Sequence, residues 1–402
     1  MDKEKIFCRV ILFSLFSLLI WSCESKSEKA DDIREKYTLE PIKTDSIALD
    51  SLTSPQGNSL CWVDSKDERS PILLFFNRKI NALYFIDWKS RVTLKKIIFP
   101  VEGPGGIPAG AYITANSLDS IFIISNYHFR MTMVNRKGEI IKKFQLFPSQ
   151  AKLDNLNLGP VGASSLLVFA GYSSPPLHIG DAMYCTGEPF GIKRYEDKDY
   201  YEKSRLCLKL HLTNEIINYF MPYPDLYKVN KYYPVQARMP SMSYNNLNRQ
   251  FITSFPYDNN LTISDLDGNI LKKVLVEGGG FEVPDPMPAH NAYSAEKDYL
   301  HYINNSHISK VVHDPYRDVY YCFLSIHESG KEFTMESQVW QYVEKIVILN
   351  KNFKNLGEVE LGSDYAQPYT YVSKEGLYIQ KLSPNEDYMH FTLFRLVKNS
   401  GE

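Results

Sequence analysis

No long block of lysine or arginine occurs in the 402 residues, and 45 basic side chains stand against 47 acidic ones, a formal net charge of −2. Binding a phosphate backbone needs a basic stripe, so the composition argues against nucleic acid as the main partner. Convincing helical periodicity is equally scarce. Residues 197–206 are charged enough for one short helix, within a stretch that reads as an insertion. No Gly-x-Ser-x-Gly elbow occurs, which removes the α/β-hydrolase kind of serine nucleophile. The main apolar run, residues 10–21, is too short to span a bilayer comfortably. No cofactor motif stands out, and none is expected.

What the chain has in quantity is aromatic residues, 13% of the total with 28 Tyr and 22 Phe. Such residues fit pleated, half-buried surfaces. Short apolar runs alternate with turn residues along most of the sequence. Residues 83–87 lead through a turn to 92–99, and residues 131–135 lead in the same way to 139–146. Four strands are expected at 59–64, 72–77, 83–87 and 92–99, and four more at 112–115, 121–125, 131–135 and 140–146. A third group holds 166–170, 206–212 and 216–220, and a fourth 251–255, 261–265 and 270–276. A fifth holds 308–313, 319–326, 345–350 and 356–361, and a last, one strand short, 369–372, 377–381 and 389–397.

A four-strand unit recurring six times is the signature of an all-β propeller, with seven blades as the alternative. The strand expected at residues 42–49 stands alone, and the last group has a vacancy. A propeller removes its exposed edges by lending an N-terminal strand to its last blade, so the ring is expected to close there.

At the N-terminus Lys3, Lys5 and Arg9 precede the apolar run, which ends in Leu19-Ile20-Trp21-Ser22-Cys23. This resembles the lipobox of bacterial lipoproteins. The resemblance implies cleavage before Cys23, acylation of Cys23, and a protein held by lipid in the bacterial cell envelope, at the outer membrane. The expected organisation is a signal peptide over 1–22, a flexible tether over 23–39 and one propeller domain over 40–398. Cys61, Cys185, Cys207 and Cys322 remain, and export permits disulfides among them. Cys185 and Cys207 could close a local loop, or all four could stay free, since buried free cysteine is common.

Glu102-Gly103-Pro104-Gly105-Gly106, then a strand, then Asp119-Ser120-Ile121-Phe122-Ile123, resembles the six-bladed propeller lipoproteins of Bacteroidetes. Asp314-Pro315-Tyr316-Arg317-Asp318-Val319-Tyr320-Tyr321 is similar to a late phrase of the DUF4221 family. The resemblance implies an exported, lipid-anchored β-propeller and brings no catalytic residue with it.

The motifs that carry chemistry elsewhere read here as structure. Gly103-Pro104-Gly105-Gly106 is flanked by strands rather than a helix, so it is an inter-blade turn and not a phosphate cradle. Asp265-Leu266-Asp267-Gly268-Asn269 begins like a calcium loop, but Val276 stands where the last carboxylate should be, so a hairpin turn is expected. His301, His307 and His313 recur at even spacing, yet Asn304-Asn305-Ser306 should break the strand between them. They are expected as polar residues near the channel, with no metal site. Glu196, Asp197, Asp199 and Glu202 could hold an acid/base pair, but a charge run in an insertion is usually solvated surface.

The insertions at 171–205 and 222–249 are long and rich in tyrosine and proline, with further candidates at 277–307 and 328–342. Two readings stay open for their aromatics. They pack the loops onto the blades, or they converge as a ligand surface in which Tyr195, Tyr223, Tyr227, Tyr232, Tyr233 and Arg238 contact a glycan, a peptide or an envelope protein. The leading functional expectation is a non-catalytic binding or scaffold protein. The alternative is a glycan-active or other hydrolytic propeller, and a sensor subunit with a large apolar patch is a third. Metabolic labelling with a fatty-acid probe should mark the wild type and leave Cys23→Ala unmarked; equal labelling of both would refute acylation at that residue.

Overall fold

A computed structural model describes residues 36–56, 59–64, 69–103, 105–110, 112–125, 128–146, 167–169, 174–189, 200–228, 232–288, 294–328 and 342–399. Cys23 and the expected signal peptide lie outside them. The chain from Lys36 to Glu402 forms one compact unit.

The described residues build six antiparallel sheets. Strand β1 (Tyr37–Ala48) comes first. Blade 1 is β2–β5 (Ser59–Val63, Ile72–Asn77, Ala82–Asp87, Val92–Ile98), and blade 2 is β6–β9 (Tyr112–Ser117, Ser120–Ser125, Arg130–Val134, Ile140–Gln145). Blade 3 is β10–β14 (Leu167–Phe169, Leu177–Ile179, Ala182–Pro189, Cys207–His211, Ile217–Phe220), in which β10 and β11 both pair with β12. Blade 4 is β15–β18 (Ser241–Asn245, Gln250–Ser254, Asn260–Ser264, Ile270–Leu275), and blade 5 is β19–β22 (His307–Asp314, Val319–His327, Tyr342–Asn350, Asn355–Leu361). Blade 6 is β23–β25 (Tyr365–Val372, Leu377–Lys381, Tyr388–Lys398), completed by β1. Among the described residues two α-helices lie between blades or within an insertion, α1 (Tyr200–Lys203) and α2 (Ala295–Ile303). No helix among the described residues is long and apolar enough to cross a membrane.

The apolar runs read as strands because each middle strand is covered on both faces. Every residue of β3, Ile-Leu-Leu-Phe-Phe-Asn, is buried. The outer strands alternate poorly and leave Val92, Leu94, Ile270 and Leu271 exposed. The core is a ring of apolar wedges, each filled by two neighbouring blades. Leu74 and Phe85 meet Ile113 and Ile121 between blades 1 and 2, and Ile252 and Leu261 meet Val311 and Cys322 between blades 4 and 5.

The ring closes as expected. β1 pairs with β25 from Tyr37↔Lys398 to Ala48↔Tyr388. It begins at Tyr37, inside the stretch read as tether, because its edge hydrogen bonds reach that far along β25. Leu39 and Ile47 lie an even number of residues apart and would share one face of a regular strand. A register shift between Pro41 and Lys43 reverses the alternation. Leu39 therefore enters the wedge between blades 5 and 6, and Ile47 the wedge between blades 6 and 1. Ile42, at the shift, is left 43% exposed.

Repeated turns set the hairpins. Asn135, Asp265 and Asn350 each accept two backbone N–H groups from their own turn, Lys137 and Glu139, Asp267 and Asn269, Asn352 and Lys354. A residue one or two places before the outer strand is left-handed in five blades: Arg91, Gly138, Glu215, Gly268 and Phe353. Glycine takes that conformation without strain. Phe353 offsets the strain by stacking on Tyr320 at 4.6 Å. The calcium-like phrase from Asp265 is thus a hairpin turn.

Three sequence expectations need correction. β11 and β12 fall inside the stretch read as an insertion, because Leu177–Ile179 and the run from Ala182 are short and broken by Gly180. β15 falls inside the second insertion, where its Ser241-Met242-Ser243-Tyr244-Asn245 is only weakly apolar. α2 is a helix that periodicity did not reveal, started by Ser294, whose hydroxyl accepts the Lys297 N–H at 3.3 Å. The four cysteines of the propeller are free thiols. Cys185 and Cys207 sit on adjacent strands but point to opposite faces, one into the wedge with blade 2 and the other into the wedge with blade 4.

Deleting residues 37–48 should lower the melting temperature by more than about 5 °C, since it bares the edge of β25 and empties two wedges. A truncated protein as stable as its parent would show that the ring does not depend on this strand.

Candidate functional site

The tyrosine-rich insertions converge, but as core. Tyr223, Tyr227 and Tyr233 are at most 1% exposed, and Tyr200 and Tyr201 pack with them. Tyr227 stacks near Tyr233 at 4.4 Å and near Tyr223 at 5.5 Å. The hydroxyl of Tyr227 donates to the Ala237 carbonyl at 2.8 Å, and that of Tyr233 to the Leu226 carbonyl at 2.9 Å. Arg238 is buried too. Its Nη2 lies 2.9 Å from the Glu188 carboxylate, and its Nη1 donates to the Tyr200 hydroxyl at 3.0 Å. Burial disfavours the guanidinium charge, but Glu188 together with the surrounding Tyr200, Tyr223 and Tyr201 outweighs it, holding Arg238 above its ordinary pKa. These side chains present no contact face to solvent, which corrects the expectation of an exposed ligand surface at Tyr223, Tyr227, Tyr233 and Arg238. The cause is the apolar wedge between blades 3 and 4, which draws the rings inward. Tyr232 is half-buried, bridging to Met287, and Tyr195 lies outside the described residues. Of the acidic run, Glu202 is exposed on α1 and Glu196, Asp197 and Asp199 lie outside the described residues.

A different site forms where α2 and blades 5 and 6 meet. A pocket of about 410 Å³ is lined by Tyr302, His307, Lys310, Ser325, Tyr342 and Glu344, among others. α2 projects Tyr299, Tyr302 and Ile303 towards it from one face. The helix then ends at Asn304, and β19 begins at His307. A register shift between Ile308 and Lys310 interrupts the pairing of β19 with β20 beside Lys310.

Lys310 is 5% exposed. Among the described residues it makes no ion pair. Its Nζ has the Pro368 carbonyl at 3.4 Å and the ring of Phe323 at 5.0 Å. Burial without a counter-charge lowers its pKa to about 7. Glu344 is half-buried on β21, and burial raises its carboxyl to about 7 against the hydrogen bonds from Ser325 Oγ at 2.8 and 3.1 Å. His307 is buried between Tyr302, at 4.3 Å, and Tyr342, at 5.2 Å between ring centres. Burial lowers it to about 4, so its imidazole is neutral at physiological pH. One pocket therefore holds an amine and a carboxyl that both exchange protons near neutrality, beside aromatic walls.

Lys310 and Pro368 also line a second cavity, about 160 Å³, on the propeller axis. There Trp62, Tyr112, Leu177, Met242, Val311 and Tyr371 come from the six blades in turn. Lys310 thus stands where the axial cavity meets the pocket.

The three evenly spaced histidines part company. His301 is on α2, its Nδ1 3.4 Å from the Tyr257 hydroxyl. His313 is at the far end of β19, its Nε2 3.7 Å from Asp318. Among the described residues no group of three or more histidine, cysteine, aspartate or glutamate side chains is placed to hold a metal ion. Sequence reasoning singled out His307 but missed Lys310 and Glu344. A lone lysine inside His-Ile-Ser-Lys-Val-Val-His-Asp was the available signal, since an apolar strand rarely carries an unpaired lysine inward.

A family model described as a domain of unknown function (DUF4221) matches residues 36–360. A crystal structure of a member of that family from Bacteroides vulgatus ATCC 8482 superposes with a TM-score of 0.77 at 18% identity, covering 91% of this chain and 99% of that one. A protein described as exported, from Bacteroides fragilis NCTC 9343, superposes at 0.54 with 11% identity, covering 91% and 97%. A virginiamycin B lyase from Staphylococcus aureus reaches 0.42 at 12% identity, over 87% and 99%, too distant to bear on chemistry. No curated protein matches.

The two shifted groups predict opposite pH behaviour. Lys310 binds its proton more weakly folded than unfolded, so its burial costs stability below pH 7 and the cost fades as pH rises towards 10.5. Glu344 binds its proton more tightly when folded, so its cost is absent below pH 4.5 and complete above 7. Lys310→Met should stabilise the protein by a few kcal/mol at pH 6, a gain that shrinks by pH 10, whereas Glu344→Gln should stabilise more at pH 8 than at pH 4. Melting curves at the four pH values check this; gains independent of pH would show that neither group is shifted.

Proposed function

With the chain a member of the DUF4221 family, we propose that it is an envelope propeller, lipid-anchored through Cys23, that carries out acid–base chemistry on a glycan-type ligand in the pocket around Lys310 and Glu344. The observation that carries this reading is the buried, uncompensated Lys310 amine sharing a pocket of about 410 Å³ with the proton-retaining Glu344 carboxyl. Ligand pockets of small molecules span roughly 300–1,000 Å³. Catalytic acids and bases work best with pKa values near the working pH, and titratable groups shifted towards neutrality mark such sites.

The roles follow from titration near neutrality, where each group is present in both protonation states. The neutral amine of Lys310 accepts a proton from the water that attacks the anomeric carbon. The protonated carboxyl of Glu344, steadied by Ser325, gives one to the leaving oxygen. His307, neutral and fixed between two tyrosine rings, positions the ligand with Tyr302 and Tyr342, which line the pocket. Hydrolysis of a glycosidic C–O bond, in which a water oxygen bonds to the anomeric carbon as the bond to the protonated leaving oxygen breaks, is the reaction class these groups serve.

The test is a glycan panel incubated with the full chain, with new reducing ends as readout. Lys310→Met and Glu344→Gln should each lower the rate by about 10²–10⁴-fold while His301→Gln leaves it unchanged. Saturable glycan binding without turnover, weakened by changes at Tyr302 or Tyr342 but not at Lys310, would make this a binding protein instead.

A further inference from the structure

Strand β19 carries one residue more than its partner. Its pairing with β20 runs through His307↔Ser325 and Ile308↔Leu324, then resumes at Lys310↔Phe323. Ser309 is the extra residue, its hydroxyl donating to the Phe323 carbonyl at 3.2 Å. Uninterrupted pairing would set Lys310 opposite Cys322, whose side chain fills the apolar wedge between blades 4 and 5. The bulge turns Lys310 instead to the face of Phe323 and Ile346, in the wedge between blades 5 and 6. His307, Ser325 and Glu344 form the next row on that same face. One inserted residue thus moves a lysine from a closed apolar wedge to the wall of the pocket.

The amine arrives where little holds its charge, between the Pro368 carbonyl and the Phe323 ring. The other titratable side chains lining the pocket are Tyr299, Tyr302, His307, Tyr342, Glu344 and Tyr365, and among these described residues Glu344 is the one carboxyl. An amine that sheds its proton near pH 7 beside a pocket of about 410 Å³ is a nucleophile as well as a base. Lysines desolvated in apolar surroundings form Schiff bases with carbonyl compounds.

We propose that Lys310 condenses with the carbonyl group of a small aldehyde, the class to which the open-chain reducing end of a sugar belongs, and holds it in the pocket as a Schiff base. The nitrogen lone pair forms the C–N bond as the π pair of the carbonyl moves to oxygen, and one proton passes from nitrogen to that oxygen. The carbinolamine then loses water. Its C–O bond breaks as the Glu344 carboxyl protonates the departing oxygen, the C=N bond forms, and the last proton on nitrogen returns to Glu344. The sum is amine and aldehyde giving imine and water. The inference rests on the reading that this pocket receives a glycan-type ligand, but not on hydrolysis of that ligand.

Incubating the full chain with glyceraldehyde and sodium cyanoborohydride tests it, because hydride reduces the imine to a stable secondary amine that peptide mass mapping assigns to one residue. Exposed lysines are the internal reference, since an amine with the ordinary value near 10.4 is neutral in only about one molecule in 2,500 at pH 7. At pH 7 Lys310 should be modified roughly tenfold or more faster than the exposed Lys89. The preference should shrink by pH 10, where exposed amines lose their protons. Glu344→Gln should slow modification of Lys310 about tenfold while leaving Lys89 unchanged, and equal rates would overturn the role given to Glu344. The proposal is overturned if Lys310 stays unmodified or reacts no faster than Lys89 at pH 7. New reducing ends from the glycan panel without an adduct at Lys310 would leave the hydrolytic reading standing and remove this one; an adduct without turnover would do the reverse.

Discussion

The whole architecture rests on the pairing of the first strand with the last. A ring of wedge-shaped cores has no free face, because each sheet is covered by its neighbours, and that holds only while the ring is closed. β1 supplies the closure along all of β25, and its bulge after Pro41 sends Leu39 and Ile47 into two different wedges. One irregular strand thereby joins three blades. The Gly357 backbone confirms how closely it fits, since a Cβ there would meet the Tyr37 carbonyl oxygen at 2.0 Å.

Closure also explains the setting of Lys310, on the innermost strand of blade 5. The middle strands are committed to packing, and the outer ones are exposed and irregular. Only the innermost strands have an edge facing neither a neighbour strand nor bulk water. Lys310 on β19 and Trp62 on β2 use that edge, one towards each side of the ring. The amine remains without a carboxylate because the axial cavity is lined by all six blades with largely apolar groups, and desolvation there is stronger than in a surface pocket.

Much of the fold was legible because propeller strands announce themselves in pairs. The alternation of apolar runs with Asn135-Arg136-Lys137-Gly138 and Asp265-Leu266-Asp267-Gly268 gave the blade repeat, and the spare N-terminal strand matched the vacancy in the last group. β11, β12 and β15 escaped notice because their runs are short and interrupted by Gly180 or serine, so periodicity over a few residues could not separate them from loops. The site was much less legible. The tyrosines that looked like contacts are core, since sequence reports ring content and not the direction in which a loop folds. Lys310 and Glu344 are ordinary letters in strands; their meaning arises from burial that involves residues far along the chain, such as Pro368.

The pairing of Tyr37 with Lys398 has a temporal side. The partners are separated by nearly the entire propeller, and Thr44 and Thr392, joined at 3.0 Å, stand 348 residues apart. Loop-closure entropy must be met before such a contact returns anything, so contacts of this span form late and slowly. During synthesis the first strand emerges long before its partner exists, and blades 1 to 5 can assemble while their two outer flanks remain open. An unfinished chain therefore carries an unpaired first strand and an unfilled slot at the opposite end, complementary to one another within the molecule and equally so between molecules. Such a pair is a route to strand exchange between copies until the last blade is complete.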